Sequence, residues 1–168
     1  MGKKEFYEVQ KFRQKWLWIL LLIIPSSMIF KLIKWSQAQE DIFANASHLF
    51  IIGSYLFVFL LFIFSRLKTK INKSGIYFRF LPFHYKFHEI KWIDVKRAYV
   101  RQYDPISEYG GWGLRLGLFG KGKAYNTMGD MGLQLELNDG KKILFGTQKP
   151  KDIEQALEVF YLKNNQES

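Results

Sequence analysis

LFIIGSYLFVFLLFIF, residues 49–64, contains no charged side chain, and Arg66, Lys68, Lys70 and Lys73 follow it at once. A membrane-crossing helix takes roughly 20 mostly apolar residues. The run reaches that length if it extends over Ala46–Ser65. An earlier apolar stretch, WLWILLLIIPSSMIF (Trp16–Phe30), reaches it if the helix continues to about Trp35. Lys31 and Lys34 then snorkel to the far interface, and Trp16, Trp18 and Trp35 mark the two interfacial belts. Pro25 and Ser26–Ser27 introduce a kink whose freed backbone groups the serines or the neighbouring helix satisfy. The sequence therefore predicts two spans, at about 16–35 and 46–65, which together form a transmembrane helical hairpin over residues 16–66.

The flanks orient that hairpin. Lys3, Lys4, Lys11, Arg13 and Lys15 lie in a basic N-terminal segment, residues 1–15, and the second basic cluster begins at Arg66. The connector SQAQEDIFANAS carries Glu40 and Asp41 and no Lys or Arg. Positive charge marks the cytoplasmic side. The expected localisation is thus the inner (plasma) membrane, multi-pass, with both termini cytoplasmic. The net charge of +10 across 168 residues is explained by topology and anionic lipid before nucleic acid. The absence of cysteine excludes a disulfide framework and any Cys-based metal site. A mean hydropathy of −0.12 despite 48% hydrophobic residues places the apolar excess in the front half.

From residue 67 to 168 the period changes to that of short strands. IYFRFLPF (Ile76–Phe83), Asp94–Tyr103, WGLRLGLF (Trp112–Phe119), Leu133–Leu137 and Lys142–Gly146 read as strands, and Asn138-Asp139-Gly140 reads as a hairpin turn. After Pro150, residues Ile153, Ala156, Leu157, Phe160 and Tyr161 recur at helical spacing, so an amphipathic helix closes the chain. The implied fold class is a two-helix transmembrane hairpin followed by a small, mainly β, α+β domain: a β-barrel or sandwich capped by a C-terminal helix.

Gly111-Trp112-Gly113 with Arg115, Ala124-Tyr125-Asn126, Gly129, Gly132, Asp139-Gly140, and Gly146-Thr147 with Pro150 carry a family likeness. The segment resembles the tail of uncharacterised bacterial two-span membrane proteins with a pleckstrin-homology-like domain. The resemblance covers the last third of the chain closely and the remainder in layout. It implies a fold and no defined activity, since fold alone does not fix function.

No catalytic constellation is legible. GLFGKGKA (Gly117–Ala124) approaches a phosphate loop, but Ala124 replaces the metal-holding hydroxyl and no helix follows. His84 and His88 lack a third ligand, and in a strand they stand too far apart to share a metal. Asp94, Asp104, Glu108 and Asp130 read as solvated turn carboxylates. Two binding features remain. Arg66, Lys68, Lys70 and Lys73 form an anionic-lipid contact on a flexible exit segment. Tyr109, Trp112, Arg115, Tyr125 and Asn126 form a candidate partner-binding rim, whose aromatic members alternatively pack as core. The expectation is a non-enzymatic, membrane-anchored binding or scaffolding module without cofactor or metal. Its partners are membrane lipids and a protein, not nucleic acid. The alternative is an accessory subunit or assembly factor of a larger membrane complex, with the spans as its interface.

Overall fold

The structure, a computed structural model, describes residues 5–37, 46–117 and 120–162, with side chains in its first two helices described at 15–23, 25–27, 29–30, 33–34 and 49–64. The chain divides into two compact units, one of Met1–Phe12 with Ser65–Ser168 and one of Arg13–Phe64.

The second unit is helical. Helix α1 covers Lys15–Gln37 and α2 covers Ala46–Phe64. Trp18 meets Phe59 edge-on, with ring centroids 6.3 Å apart, and the Tyr55 hydroxyl donates to the Leu21 carbonyl. Contacts that advance along one helix and recede along the other make the pair antiparallel. Apolar side chains such as Leu20, Ile23, Phe50 and Phe57 are exposed.

These helices correct the expected spans. Among the described residues no helix is long and apolar enough to cross a membrane. The uncharged runs Trp16–Phe30 and Leu49–Phe64 rise only about 22 and 24 Å at 1.5 Å per residue, short of a hydrocarbon core of about 30 Å. Nor does the second helix reach Ser65. The structure therefore does not support the expected transmembrane hairpin, nor the multi-pass membrane location and topology that rested on it and on the flanking charges. The acidic part of the connector, Glu40 and Asp41, lies outside the described residues.

The first unit is built from two sheets. The first has the order β1-β2-β3-β4, all antiparallel, from β1 (Phe6–Lys11), β2 (Arg66–Ile71), β3 (Gly75–Leu81) and β4 (His88–Lys91). Sequence reading assigns residues 1–15 to a basic tail; instead, Phe6–Lys11 forms the edge strand of this sheet. Its inward residues are Phe6, Glu8 and Gln10, while Tyr7, Val9 and Lys11 face out. The buried carboxylate of Glu8 is fully engaged: Thr147 Oγ1 donates to it at 2.8 Å and the Gln148 amide at 2.9 Å. Gln10 donates to the Gly146 carbonyl at 2.5 Å and accepts from Thr127. Buried polar groups are tolerated only when paired in this way, and these bonds fasten β1 to the second sheet.

That second sheet has the order β5-β8-β9-β7-β6, from β5 (Val95–Gln102), β6 (Gly113–Leu116), β7 (Lys123–Asn126), β8 (Met131–Leu137) and β9 (Lys142–Gly146). Asn138-Asp139-Gly140 closes the β8–β9 hairpin, and β7 pairs with β9 in parallel. The core lies where the sheets face each other. The Phe78 ring sits 4.9 Å from Tyr125 and 4.8 Å from Phe145, and Leu133 and Leu135 are fully buried. Each such side chain contributes about 1.5–3 kcal/mol on burial. On the other face of the sheet, Tyr103, Tyr109, Ala124 and Leu144 form a second cluster. Tyr109 comes from a short helix α3 (Pro105–Tyr109), N-capped by Asp104, which accepts from the Ile106 and Ser107 amides.

The C-terminal helix α4 (Pro150–Leu157) continues into a widened π-helical turn at Glu158–Leu162. Ile153, Ala156, Leu157, Phe160 and Tyr161 are buried, at the spacing the sequence predicts. The Tyr161 ring lies 5.4 Å from Trp92, and its hydroxyl donates to the Lys96 carbonyl at 3.0 Å.

Candidate anion-binding face

RLKTKI in β2 alternates basic with apolar or small polar residues. A strand sends successive side chains to opposite faces, so Leu67, Thr69 and Ile71 enter the core while Arg66, Lys68 and Lys70 line the outer face. This corrects the reading of a flexible exit segment: the three cations stand about 7 Å apart on a fixed backbone. Lys73 does not share that strand. It belongs to the β2–β3 turn, where Asn72 Oδ1 accepts the Ser74 and Gly75 amides. Glycine is required at 75 because a Cβ there would meet the Ile90 carbonyl oxygen at 2.2 Å.

Register assembles the outer face in three rows. Lys11 pairs with Arg66 and Arg66 with Leu81. Val9 pairs with Lys68 and Lys68 with Arg79. Tyr7 pairs with Lys70, Lys70 with Tyr77, and Tyr77 with Glu89. The last row is neutralised. Lys70 Nζ lies 2.8 Å from Glu5, and the Tyr77 hydroxyl donates to Glu89 at 2.6 Å, a bond that raises the phenol's pKa. The first two rows carry Lys11, Arg66, Lys68 and Arg79, and none of these has a carboxylate partner among the described residues. Arg79 is oriented by its own surroundings. It donates to the Tyr85 carbonyl at 3.2 Å, and its guanidinium lies 4.9 Å from the Phe87 ring centroid. The face is thus polarised along the strands, with its positive end at Lys11, Arg66 and Arg79.

The five residues of the expected rim do not line one surface. Tyr109, Tyr125 and Asn126 are buried. Asn126 donates to the Tyr103 hydroxyl at 2.9 Å and accepts the Gly113 amide at 2.8 Å, while burial pushes the Tyr103 hydroxyl up to about 12. Trp112 is half-buried and donates from Nε1 to the Gly129 carbonyl; exposed Arg115 donates to the Trp112 carbonyl. Aromatic packing accounts for Tyr109 and Tyr125.

Other candidates resolve locally. Gly117–Lys123 joins β6 to β7, with the Gly117 amide donating to the Gly122 carbonyl at 2.5 Å, and a strand follows it rather than a helix. Its residues 118–119 lie outside the described ones. The His84 and His88 rings are closer than strand spacing predicts, 4.6 Å between centroids, because the chain folds back between β3 and β4. Burial and the neighbouring His88 and Lys123 lower the His84 pKa. Among the described residues no group of three or more potential metal ligands gathers. Glu108 is not a solvated turn carboxylate. It takes two bonds from Arg101, at 3.0 and 2.8 Å, which hold its pKa down to about 2.

Sequence reading missed Lys11 and Arg79 as members of the face. The signal was present as alternation in YEVQK and YFRFL, but it joins β2 only once the register is known. One family model, that of a family of unknown function (DUF6141), matches residues 11–161. No curated protein and no solved structure matches the chain.

Proposed function

The chain belongs to that family, DUF6141, and on its geometry we propose that it is a non-catalytic binding module for phosphate-bearing anions. The observation that carries the reading is the register row Val9–Lys68–Arg79 beside Lys11–Arg66–Leu81, which gathers four cations at one end of a sheet face, with no carboxylate paired to them among the described residues. Like charges this close repel unless an anion intervenes, and phosphate accepts charge-assisted bonds from both Lys and Arg. A binding role also suits the carboxylates elsewhere. Asp104 caps a helix, Glu108 pairs with Arg101, and Glu8 holds β1, so each is committed to structure.

Soluble inorganic polyphosphate provides a probe that is independent of the helical unit. The combined Arg66→Gln, Lys68→Gln and Arg79→Gln variant is expected to bind it about a hundredfold more weakly, at roughly 1 kcal/mol per charge-assisted contact. A control variant with Lys96→Gln, Arg97→Gln and Lys142→Gln, neutralised elsewhere on the surface, is expected to bind as the unaltered chain does. Binding by the unaltered chain is also expected to fall steeply with salt as the Debye length contracts from about 8 to 3 Å. Equal weakening in both variants would reduce the effect to net charge and remove the site.

A further inference from the structure

The strand ends that carry the unneutralised cations also carry an unusual loop. Leu81 is the register partner of Arg66, so the β3–β4 connection, residues 82–87, leaves the sheet at its positive end. It reads PFHYKF, and three of its rings are exposed: Phe83 by 56%, Tyr85 by 79% and Phe87 by 43%. Lys86 stands between them, also exposed.

The loop is not loose. His84 is drawn inward, its amide donating to the Phe80 carbonyl at 2.8 Å and its ring packing edge-on to Phe78. Phe83 stacks nearly parallel on Phe80, and Arg79 holds the Tyr85 carbonyl and the Phe87 ring. Exposing three aromatic rings on a braced loop forgoes burial that the core could have supplied.

Aromatic rings interleaved with Lys and Arg are the composition of a bilayer interface. There the ring sits at headgroup level and the cation meets phosphate. A soluble polyanion satisfies the cations and leaves the rings in water; a lipid surface satisfies both. We propose that residues 82–87 enter the headgroup layer of an anionic lipid bilayer, with Phe83, Tyr85 and Phe87 in the interface and Arg66, Lys68, Arg79 and Lys86 among the phosphates. The proposal rests on the phosphate-binding reading and names the lipid as the source of the phosphate. It requires contact with one leaflet only. The rings supply apolar burial, and the cations add electrostatic attraction that depends on anionic lipid.

The chain has no cysteine, so a single Tyr85→Cys substitution carrying an environment-sensitive dye reports on this loop alone. The control dye sits at Lys141, an exposed position in the β8–β9 turn. The full chain is mixed with vesicles of phosphatidylglycerol or of phosphatidylcholine. The expected result is a blue shift at position 85 with phosphatidylglycerol, quenched by spin-labelled acyl chains and absent with phosphatidylcholine, and no shift at position 141. Adding Phe83→Ser, whose ring stacks on Phe80 and not on a cation of the face, is expected to diminish the shift at 85 strongly while polyphosphate binding is unchanged.

No shift at 85 in phosphatidylglycerol, with polyphosphate binding still dependent on Arg66, Lys68 and Arg79, overturns the loop proposal and leaves the phosphate reading intact. Equal shifts in both lipids overturn the pairing of rings with cations. Loss of that dependence in the polyphosphate assay removes the phosphate reading and the loop proposal together.

Discussion

Glu108 shows how far a carboxylate's role depends on a partner that local sequence does not reveal. Within PISEY it reads as one more turn acid, but β5 delivers Arg101 from seven residues earlier, and the guanidinium takes both carboxylate oxygens. Both side chains are more than three-quarters covered, so solvent screens the pair less than a surface bridge. The pair also clamps α3, because the Asp104 amide donates to the same carboxylate at 3.0 Å. Its pKa falls from the usual 4.5 to about 2, chiefly through the Arg101 bonds. A depressed folded-state pKa means the contribution is complete above pH 4.5 and is lost as pH falls toward 2. Glu108→Gln should therefore cost about 2–3 kcal/mol at pH 7 and progressively less below pH 4.5. Urea unfolding at pH 7, 4.5 and 3 checks this, and a cost that stays constant across that range would sever the pair from stability. Glu8 is a second case. Its burial follows from the alternation of β1, yet a glutamate at an inward position reads in sequence as a surface residue.

Among the elements, the C-terminal helix and the β8–β9 hairpin were legible from apolar spacing and a turn signal, and β1, whose buried residues include Glu8 and Gln10, was not. Helix α4 announces itself through Ile153, Ala156, Leu157, Phe160 and Tyr161, and all five are buried. The β8–β9 hairpin announces itself through Asn138-Asp139-Gly140. Strand β1 inverts the usual code: Glu8 and Gln10 point in while Tyr7 and Val9 point out, so FYEVQK reads as part of a basic tail. The basic face failed for a related reason. Arg66, Lys68 and Lys70 were visible as a cluster, but their strand geometry, and their union with Lys11 and Arg79, required pairings across the sheet. The apolar runs did give two helices, but a run of apolar residues fixes helix and hydrophobicity, not the length needed to cross a bilayer. Helix α4 supports a direct test at this scale. Phe160 is only 4% exposed in its final turn, so Phe160→Ala should remove a large buried ring and cost roughly 3–5 kcal/mol. Thermal unfolding of the full chain measures it, and an unchanged melting temperature would mean that α4 does not share the core.

At the scale of the whole molecule, the chain enters its β unit, leaves it after one strand, and returns 54 residues later. Between Lys11 and Arg66, residues 12–65 are contributed almost entirely to the helical unit, while the two strand ends remain direct register partners. Antiparallel neighbours are ordinarily joined by a two-residue turn, so the helical unit occupies the place of a hairpin loop. Long insertions at such a point cost little in closure entropy, roughly 0.6 kcal/mol per doubling of length. This arrangement explains why the N-terminal residues cannot be an independent tail: Glu8 and Gln10 bond to Thr147, Gln148 and Gly146 from the far end of the sequence. The β unit should therefore fold without the helices, provided that β1 is retained. Replacing residues 12–65 by Asn-Gly, the preferred type I′ turn, is expected to yield a chain with cooperative thermal unfolding and dispersed amide resonances. Deleting residues 1–65 removes β1 as well, leaves the hydrogen-bonding edge of β2 unpaired and leaves Thr147 without its carboxylate. That shorter chain is expected to melt at a markedly lower temperature or to lose cooperativity. If instead the two chains unfold alike, β1 is dispensable, and the polar seam built by Glu8 and Gln10 contributes nothing that the remaining strands do not supply.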